Sequence, residues 1–150
     1  PLTNKRTDLY GGEVLNRIRL HLEVIKKVRE VVGEEYPVFI RLGASDYAEG
    51  GVTIEDSLIA AKEFEKAGID VLDISGGLNG YKVENESEEG YFWPLTEAIK
   101  KNTNIPVILT GGVVSSKGAE ELLANGKADL IGVGRAILKD SLWAKEAMEV

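Results

Sequence analysis

The chain has 150 residues, 43% hydrophobic and 29% charged, with a net charge of −7, which indicates a single globular domain and excludes nucleic acid as the main partner. The absence of cysteine excludes disulfides, thiolate metal sites and a cysteine nucleophile. No apolar run approaches the roughly 18 residues of a membrane span, and residues 1–8 lack a signal-peptide core, so we expect a cytoplasmic protein with no membrane partner.

Helix and strand signals alternate along the chain. Apolar residues recur at helical spacing over Glu13–Val32, which predicts one amphipathic helix that ends before a glycine. The strand Val38–Leu42 follows, and then a helix, about Ile54–Ala67, with Thr53 as its N-cap. The later elements are the strand Asp70–Ser75, the helix Pro94–Asn102, the strand Val107–Thr110, the helix Lys117–Asn125, the strand Asp129–Val133 and the helix Leu142–Met148.

Apolar strands that alternate with amphipathic helices predict an α/β fold with a parallel sheet. Residues 63–72 and 121–130 repeat one pattern, in which a helix is followed by a glycine, an aspartate and a strand. Four strands followed by four helices make (β/α)4, half of a TIM (β/α)8 barrel. Half a barrel has two unpaired strand edges, so we expect the missing half-barrel or a second copy of this chain to complete it.

Two glycine turns follow the last two predicted strands, in Thr110–Val113 and Gly132–Arg135. Glycine allows a phosphate to approach backbone N–H groups closely, and the arginine adds a fixed positive charge. In TIM barrels the phosphate site commonly lies after the last two strands. Each turn also has a simpler explanation, since glycine ends strands for steric reasons and the arginine could be an exposed residue at a helix start. The predicted phosphate site comprises Gly111, Gly112, Val113, Gly134 and Arg135.

Several segments of this sequence resemble the Old Yellow Enzyme family of FMN-dependent NAD(P)H oxidoreductases. The resemblance is carried by Pro1–Gly12 with the following Asn16-Arg17, by Ile40–Tyr47 and, in the family's order, by Ile74–Gly77 and the two glycine turns. It covers essentially the whole chain and corresponds to strands five to eight, the second half of the family's barrel.

The resemblance implies a non-covalent FMN at the carboxyl end of the barrel, which takes hydride from NADH or NADPH and passes it to a small molecule with an activated alkene. Arg41 matches the family's arginine beside the N1 and C2-carbonyl edge of the flavin ring. From spacing alone, Arg41 could instead pair with a neighbouring carboxylate. The residues that match the family's two phosphate turns are Gly111, Gly112 and Val113 in the first, and Gly134 and Arg135 in the second.

Parts of the family's enzyme have no counterpart in this sequence. The substrate-binding pair His-x-x-His or His-x-x-Asn and the first four strands precede, in relatives, the position of Pro1. We therefore expect residues 1–150 to be the C-terminal half of an FMN-binding barrel domain, inactive alone and part of a homo-oligomer. Three alternatives stay open: an FMN- or phosphate-binding half-barrel without activity, a structural fragment, and another phosphate-binding barrel enzyme such as a sugar-phosphate isomerase.

Other residues near the predicted strand ends have two interpretations each. Asp46 and Tyr47 follow the Arg41 strand and either brace a loop or contact a ligand. Ser75–Gly77 forms either a tight exit turn or a ligand contact. The acidic loop Tyr81–Tyr91 is long enough to close over a substrate, and its carboxylates favour solvation over metal binding.

Overall fold

The computed structural model describes residues 1–78, 83 and 88–149. Helices and strands alternate in the described chain, as predicted. The elements in order are α1 (Val14–Arg17), α2 (Arg19–Val32), β1 (Phe39–Gly43), α3 (Ile54–Lys66), β2 (Val71–Ser75), α4 (Trp93–Lys100), β3 (Val107–Thr110), α5 (Ser116–Ala124), β4 (Leu130–Gly132), α6 (Arg135–Lys139) and α7 (Trp143–Met148).

The four strands form one parallel sheet in the order β1-β2-β3-β4, which confirms the predicted α/β class. Side chains that point to one face of the sheet pack against helices. Phe64 of α3 and Ile99 of α4 are buried there with Leu72 and Ile74 of β2. Along the strands, the side chains that alternate with these point to the opposite face of the sheet and are less buried. The opposite face of the sheet is therefore available for a polar site.

The prediction of one continuous helix over Glu13–Val32 is wrong, because the helix is interrupted at Ile18. The arginines on either side of Ile18 contact different parts of the protein. Arg17 donates to the Gly12 carbonyl and pairs with Asp56 of α3, whereas Arg19 donates to the Leu9 carbonyl. These contacts hold α1 against α3 and the opening loop, and periodicity alone does not reveal them.

Two aspartates join neighbouring strands at the ends where the strands begin. The Asp70 N–H donates to the Val38 carbonyl at 2.9 Å, and the Asp70 carboxylate accepts from the Val38 N–H at 2.7 Å. Asp129 makes the same two bonds with Val107, both at 2.9 Å. We call these pairs the strand clamps; the predicted repeat of residues 63–72 and 121–130 contains both aspartates. The basic residues that pair with them are Arg29 and Lys100.

The outermost strands expose apolar side chains. Within the described chain, β1 and β4 each have one neighbouring strand, and Phe39 and Leu130 on them are 56% and 47% exposed. Val31 on α2 and Leu138 on α6 are 84% and 87% exposed. None of the described helices has the length and apolar character that a membrane crossing requires.

Candidate functional site

A cavity of about 560 Å³ lies at the carboxyl ends of the strands, where ligands bind in parallel α/β folds. Arg41 of β1 and the ends of β2, β3 and β4 contribute to it, together with the residue pair before α4. All six residues predicted from the sequence to bind a cofactor line this one cavity: Arg41, Gly111, Gly112, Val113, Gly134 and Arg135.

The first glycine turn packs against two aromatic rings. A Cβ atom on Gly111 would lie 2.4 Å from Cδ2 of Phe92, and one on Gly112 would lie 2.1 Å from Cε1 of Tyr91. Gly112 also has a φ of +69°, in the left-handed region that favours glycine. The side-chain directions of both glycines are thus filled by aromatic rings, an additional reason for glycine that the sequence did not indicate. Among the described residues, the N–H groups of Gly112 and Val113 have no acceptor.

The second glycine turn is open on its side-chain face. A Cβ atom on Gly134 would meet nothing within 4 Å. Arg135, which follows it, is the first residue of α6, and its Nη2 donates to the Tyr91 hydroxyl at 2.9 Å. Arg135 is exposed and starts a helix, as the simpler interpretation holds, and it also lines the cavity.

Arg41 takes part in a series of polar contacts across three strands. Its Nε donates to Oδ2 of Asp73 on β2 at 2.8 Å, and its Nη2 lies 2.7 Å from the same oxygen. The Thr110 hydroxyl on β3 donates to Oδ1 of Asp73 at 2.6 Å. The pairing with a carboxylate that spacing left open is therefore present, while Arg41 also lines the cavity.

Asp46 braces the loops on this side of the molecule. It is 3% exposed, and its two oxygens accept from the N–H groups of Val52 and Leu78, each at 2.7 Å. A Cβ atom on Gly77 would lie 2.1 Å from Oδ1 of Asp46, so the close approach requires glycine there. The loop-bracing interpretation of Asp46 is correct. Tyr47, with a φ of 47°, stacks on Phe92 at a ring distance of 6.1 Å.

The described end of the acidic loop has a structural role that the sequence did not indicate. Glu89 accepts hydrogen bonds from the N–H of Val114 at 2.7 Å and from the N–H and hydroxyl of Ser115 at 2.9 and 2.7 Å. Burial raises the pKa of Glu89, but the bonds from Ser115 and Val114 outweigh it and leave the pKa below its ordinary value. Glu89 thus fixes the segment between the first glycine turn and α5. Residues 81, 82 and 84–87 of the predicted loop lie outside the described residues.

The fold and the site define a class: a parallel α/β protein with glycine turns and two arginines around a cavity at its strand ends. The profile of the NADH:flavin oxidoreductase / NADH oxidase family matches residues 1–149, and the chain belongs to that family. The resemblance to the Old Yellow Enzyme family is thereby confirmed. Enzymes of this family use FMN, with NADH or NADPH as the donor.

Individual relatives agree with this assignment. The chain is 43% identical to an NADPH dehydrogenase of Halalkalibacterium halodurans, over 98% of this chain and 43% of that protein. It is 40% identical to an NADH oxidase of Thermoanaerobacter brockii, over 99% of this chain and 24% of that protein. A solved structure of 2-naphthoyl-CoA reductase with 2-naphthoyl-CoA is similar at a TM-score of 0.89 and 32% identity, covering 99% of this chain and 23% of that one. The chain therefore spans less than half the length of these relatives.

The residues around the cavity fit an FMN molecule. The volume is in the range of small-molecule sites, about 300–1,000 Å³. Arg135 and the N–H groups of Gly112 and Val113 are donors suited to a phosphate, and Arg41 supplies a second cation on β1. The cavity therefore combines two arginines with backbone donors, a set of groups suited to an anionic cofactor.

Proposed function

We propose that this chain is the FMN-phosphate-binding part of an oxidoreductase that carries hydride from NADH or NADPH to an activated alkene. One observation carries the proposal: the six residues that match the family's cofactor contacts, which lie far apart in sequence, line a single cavity. In this proposal Gly111, Gly112, Val113, Gly134 and Arg135 hold the phosphate, and Arg41 lies beside the flavin ring.

We further propose that residues 1–150 form the C-terminal half of a TIM-barrel domain and contribute strands five to eight of the family's barrel. The parallel four-stranded sheet and the partial coverage of relatives support this arrangement. The first four strands of the barrel, or a second copy of this chain, would then pair with β1 and β4. The completed barrel would hold the substrate over the same cavity.

Each side chain has a separate task in this proposal. When bound, FMN supplies hydride transfer between the nicotinamide and the substrate. The Arg135 guanidinium and the N–H groups of Gly112 and Val113 bind and orient the phosphate by charged and backbone hydrogen bonds. Arg41 presents a fixed positive charge where negative charge develops at the N1 side of the ring, which favours the reduced cofactor.

The decisive experiment is an FMN titration of this chain, followed by quenching of flavin fluorescence. Riboflavin, which has the same ring without the phosphate, is the ligand control. We expect saturable binding of FMN and much weaker binding of riboflavin, because the proposed site holds the phosphate. The Arg6→Ala variant is the matched protein control, since Arg6 is an exposed arginine paired with Asp8 outside the cavity.

The outcomes separate the proposal from its alternatives. Equal binding of FMN and riboflavin would contradict a phosphate site at the glycine turns. Absence of FMN binding both by this chain and by its mixture with the first half of a family barrel would contradict the proposed function. NAD(P)H oxidation by that mixture, with loss on Arg41→Ala, would support the catalytic part.

A second candidate is an FMN-binding half-barrel that has no activity of its own. It is favoured by the exposed apolar residues on both outer strands, Phe39 and Leu130, which a second copy could cover. A dimer that binds FMN and does not oxidise NAD(P)H would support this candidate. Light scattering together with a turnover assay on the same sample distinguishes it from the first proposal.

A further inference from the structure

We propose that Asp73 is a positioning residue for Arg41, and that the Thr110 hydroxyl in turn fixes Asp73. The three side chains form a polar series, Arg41–Asp73–Thr110, that sets where the guanidinium lies in the cavity. The consequence for the cofactor rests on the proposed FMN function, but the positioning itself is a property of the protein alone.

The register of the sheet brings the three residues to one face. Arg41 on β1 is the direct partner of Asp73 on β2, and Asp73 is the partner of Ile108 on β3. Thr110 lies two residues beyond Ile108 and therefore points to the same face. The series thus runs diagonally across three strands toward their carboxyl ends, where the cavity lies.

The contacts use both oxygens of Asp73. Oδ2 accepts from Nε of Arg41 and forms an ion pair with its Nη2 at 2.7 Å, and Oδ1 accepts from the Thr110 hydroxyl. A carboxylate held on both sides has one orientation, and the Nε hydrogen bond together with the close Nη2 ion pair holds the Nε side of the guanidinium against it. The Nη groups of Arg41, on the side of the guanidinium away from the Nε bond, are then the donors that can contact a ligand.

The exposed fractions of the two side chains show which of them is held in place by the rest of the protein. The Asp73 side chain is 19% exposed and the Arg41 side chain is 60% exposed, so the aspartate is held by the protein while the arginine reaches into the open cavity. Gly132 on β4 leaves the space for the hydroxyl, because a Cβ atom there would lie 2.0 Å from Oγ1 of Thr110. The fourth strand therefore also supports the series.

The first test needs no cofactor. The NMR resonance of the Arg41 Nε–H, assigned by its loss in Arg41→Met, reports whether this group is hydrogen-bonded. We expect a dispersed resonance, protected from solvent exchange, in the unmodified chain. It should lose its protection in Asp73→Ala and become less protected in Thr110→Val, while Thr110→Ser should restore it. Unchanged protection in Asp73→Ala, in a chain that remains folded, would overturn the proposal.

The second test uses bound FMN and sulfite, which adds to oxidised flavins more tightly when a positive charge lies near N1. If Asp73 acted only as a nearby negative charge, its removal would tighten sulfite binding. If it positions Arg41, its removal should weaken sulfite binding toward the level of Arg41→Met. We expect about a tenfold loss of sulfite affinity in Asp73→Ala.

Asp129→Ala is the matched control for a purely structural effect. Asp129 is also a carboxylate paired with a basic residue and a backbone N–H, but it lies at the start of β4, away from the cavity. We expect its substitution to lower stability and leave sulfite binding unchanged. Tighter or unchanged sulfite binding in Asp73→Ala would overturn the effect on the cofactor.

The two tests also separate this proposal from the proposed function. If the unmodified chain and its mixture with the first half of the barrel bind no FMN, the proposed function fails. The resonance of Arg41 still decides whether Asp73 positions it. If FMN binds and the resonance is unprotected, the proposed function stands and the positioning role of Asp73 is wrong.

Discussion

Arg135 is the cation of the second glycine turn, and its substitution tests the phosphate site most directly. We expect Arg135→Ala to weaken FMN binding by about 1.5–3 kcal/mol, the contribution of a hydrogen bond to a charged group. Riboflavin binding should not change. Tyr91→Phe, which removes the hydroxyl that accepts from Arg135, is the companion variant and should have a smaller effect. Equal losses for FMN and riboflavin would contradict the assignment of Arg135 to the phosphate.

Gly112 and Gly126 form a matched pair for separating backbone strain from a steric clash. Both have a φ of +69°, but a Cβ atom on Gly112 would meet the Tyr91 ring at 2.1 Å, whereas one on Gly126 would meet nothing within 4 Å. Both alanine variants should be destabilised by the unfavourable φ. We expect Gly112→Ala to cost about 1–3 kcal/mol more, because of overpacking. Urea unfolding of both variants measures the difference, and equal costs would contradict the packing against Tyr91.

At the scale of single residues, the sequence indicated six of the residues that line the cavity but not what they contact. Arg41, the two glycine turns and Arg135 were found from motifs that are local in sequence. Asp73, the partner of Arg41, is 32 positions away, and the rings that fill the glycine turn come from before α4. Such contacts depend on the register of the sheet and on loop paths, which no local pattern encodes.

Glu89 links the loop before α4 to the start of α5, and this link should make stability depend on pH. The pKa of Glu89 in the folded chain lies below its ordinary value, so its bonds stabilise the fold above the unfolded pKa, about 4.3. The contribution is lost as pH falls through the folded pKa. We expect Glu89→Gln to lower the free energy of unfolding by about 1–2 kcal/mol at pH 7 and by much less at pH 3.

Urea unfolding at several pH values measures this effect, and Glu88→Gln is the matched control because Glu88 is an exposed neighbour. The control should unfold like the unmodified chain at every pH. The same loss for Glu89→Gln at pH 3 and pH 7 would contradict an ionised Glu89 as the acceptor.

At the scale of elements, the strands and long helices followed from the hydrophobic pattern, with ends shifted by one or two residues. Thr53 caps α3 as predicted, with its side chain accepting from the Asp56 N–H. The pattern did not predict α6, Arg135–Lys139, because five residues are too few for a helical period to emerge. The break at Ile18 was missed for another reason, since the apolar spacing continues across it and contains no signal of an interruption.

The outer strands are where the whole molecule would associate with another chain. Phe39 lies on β1 and is 56% exposed, and an unpaired strand edge promotes pairing between chains. We expect Phe39→Lys to shift this chain toward the monomer, as measured by light scattering over a range of concentrations. Val31→Lys, at an 84% exposed position on α2, is the matched control and should have less effect. A larger shift in the control would indicate that helices, not strand edges, mediate association.

At this scale the sequence predicted the class, the parallel sheet and the family, because alternating elements and strand-end motifs carry that information. It could not predict how the sheet edges are covered. Exposure of Phe39 and Leu130 is a property of the assembled sheet, and the same residues would be suitable in a core strand. The proposed half-barrel arrangement is therefore best tested through association and not through the stability of the chain alone.

The strand clamps have a consequence for how such a fold is built. Asp70 fastens β2 to the start of β1, and Asp129 fastens β4 to the start of β3, with the same pair of bonds each time. Where β3 begins, its link to β2 includes a bond from the Leu72 N–H to the Pro106 carbonyl, and no aspartate of the described chain bridges these two strand starts in the same way. The sheet thus contains two similar parallel units, β1-α3-β2 and β3-α5-β4, each with its own aspartate bridge, and a duplication of one such unit would lengthen the sheet by two strands that are already fastened together.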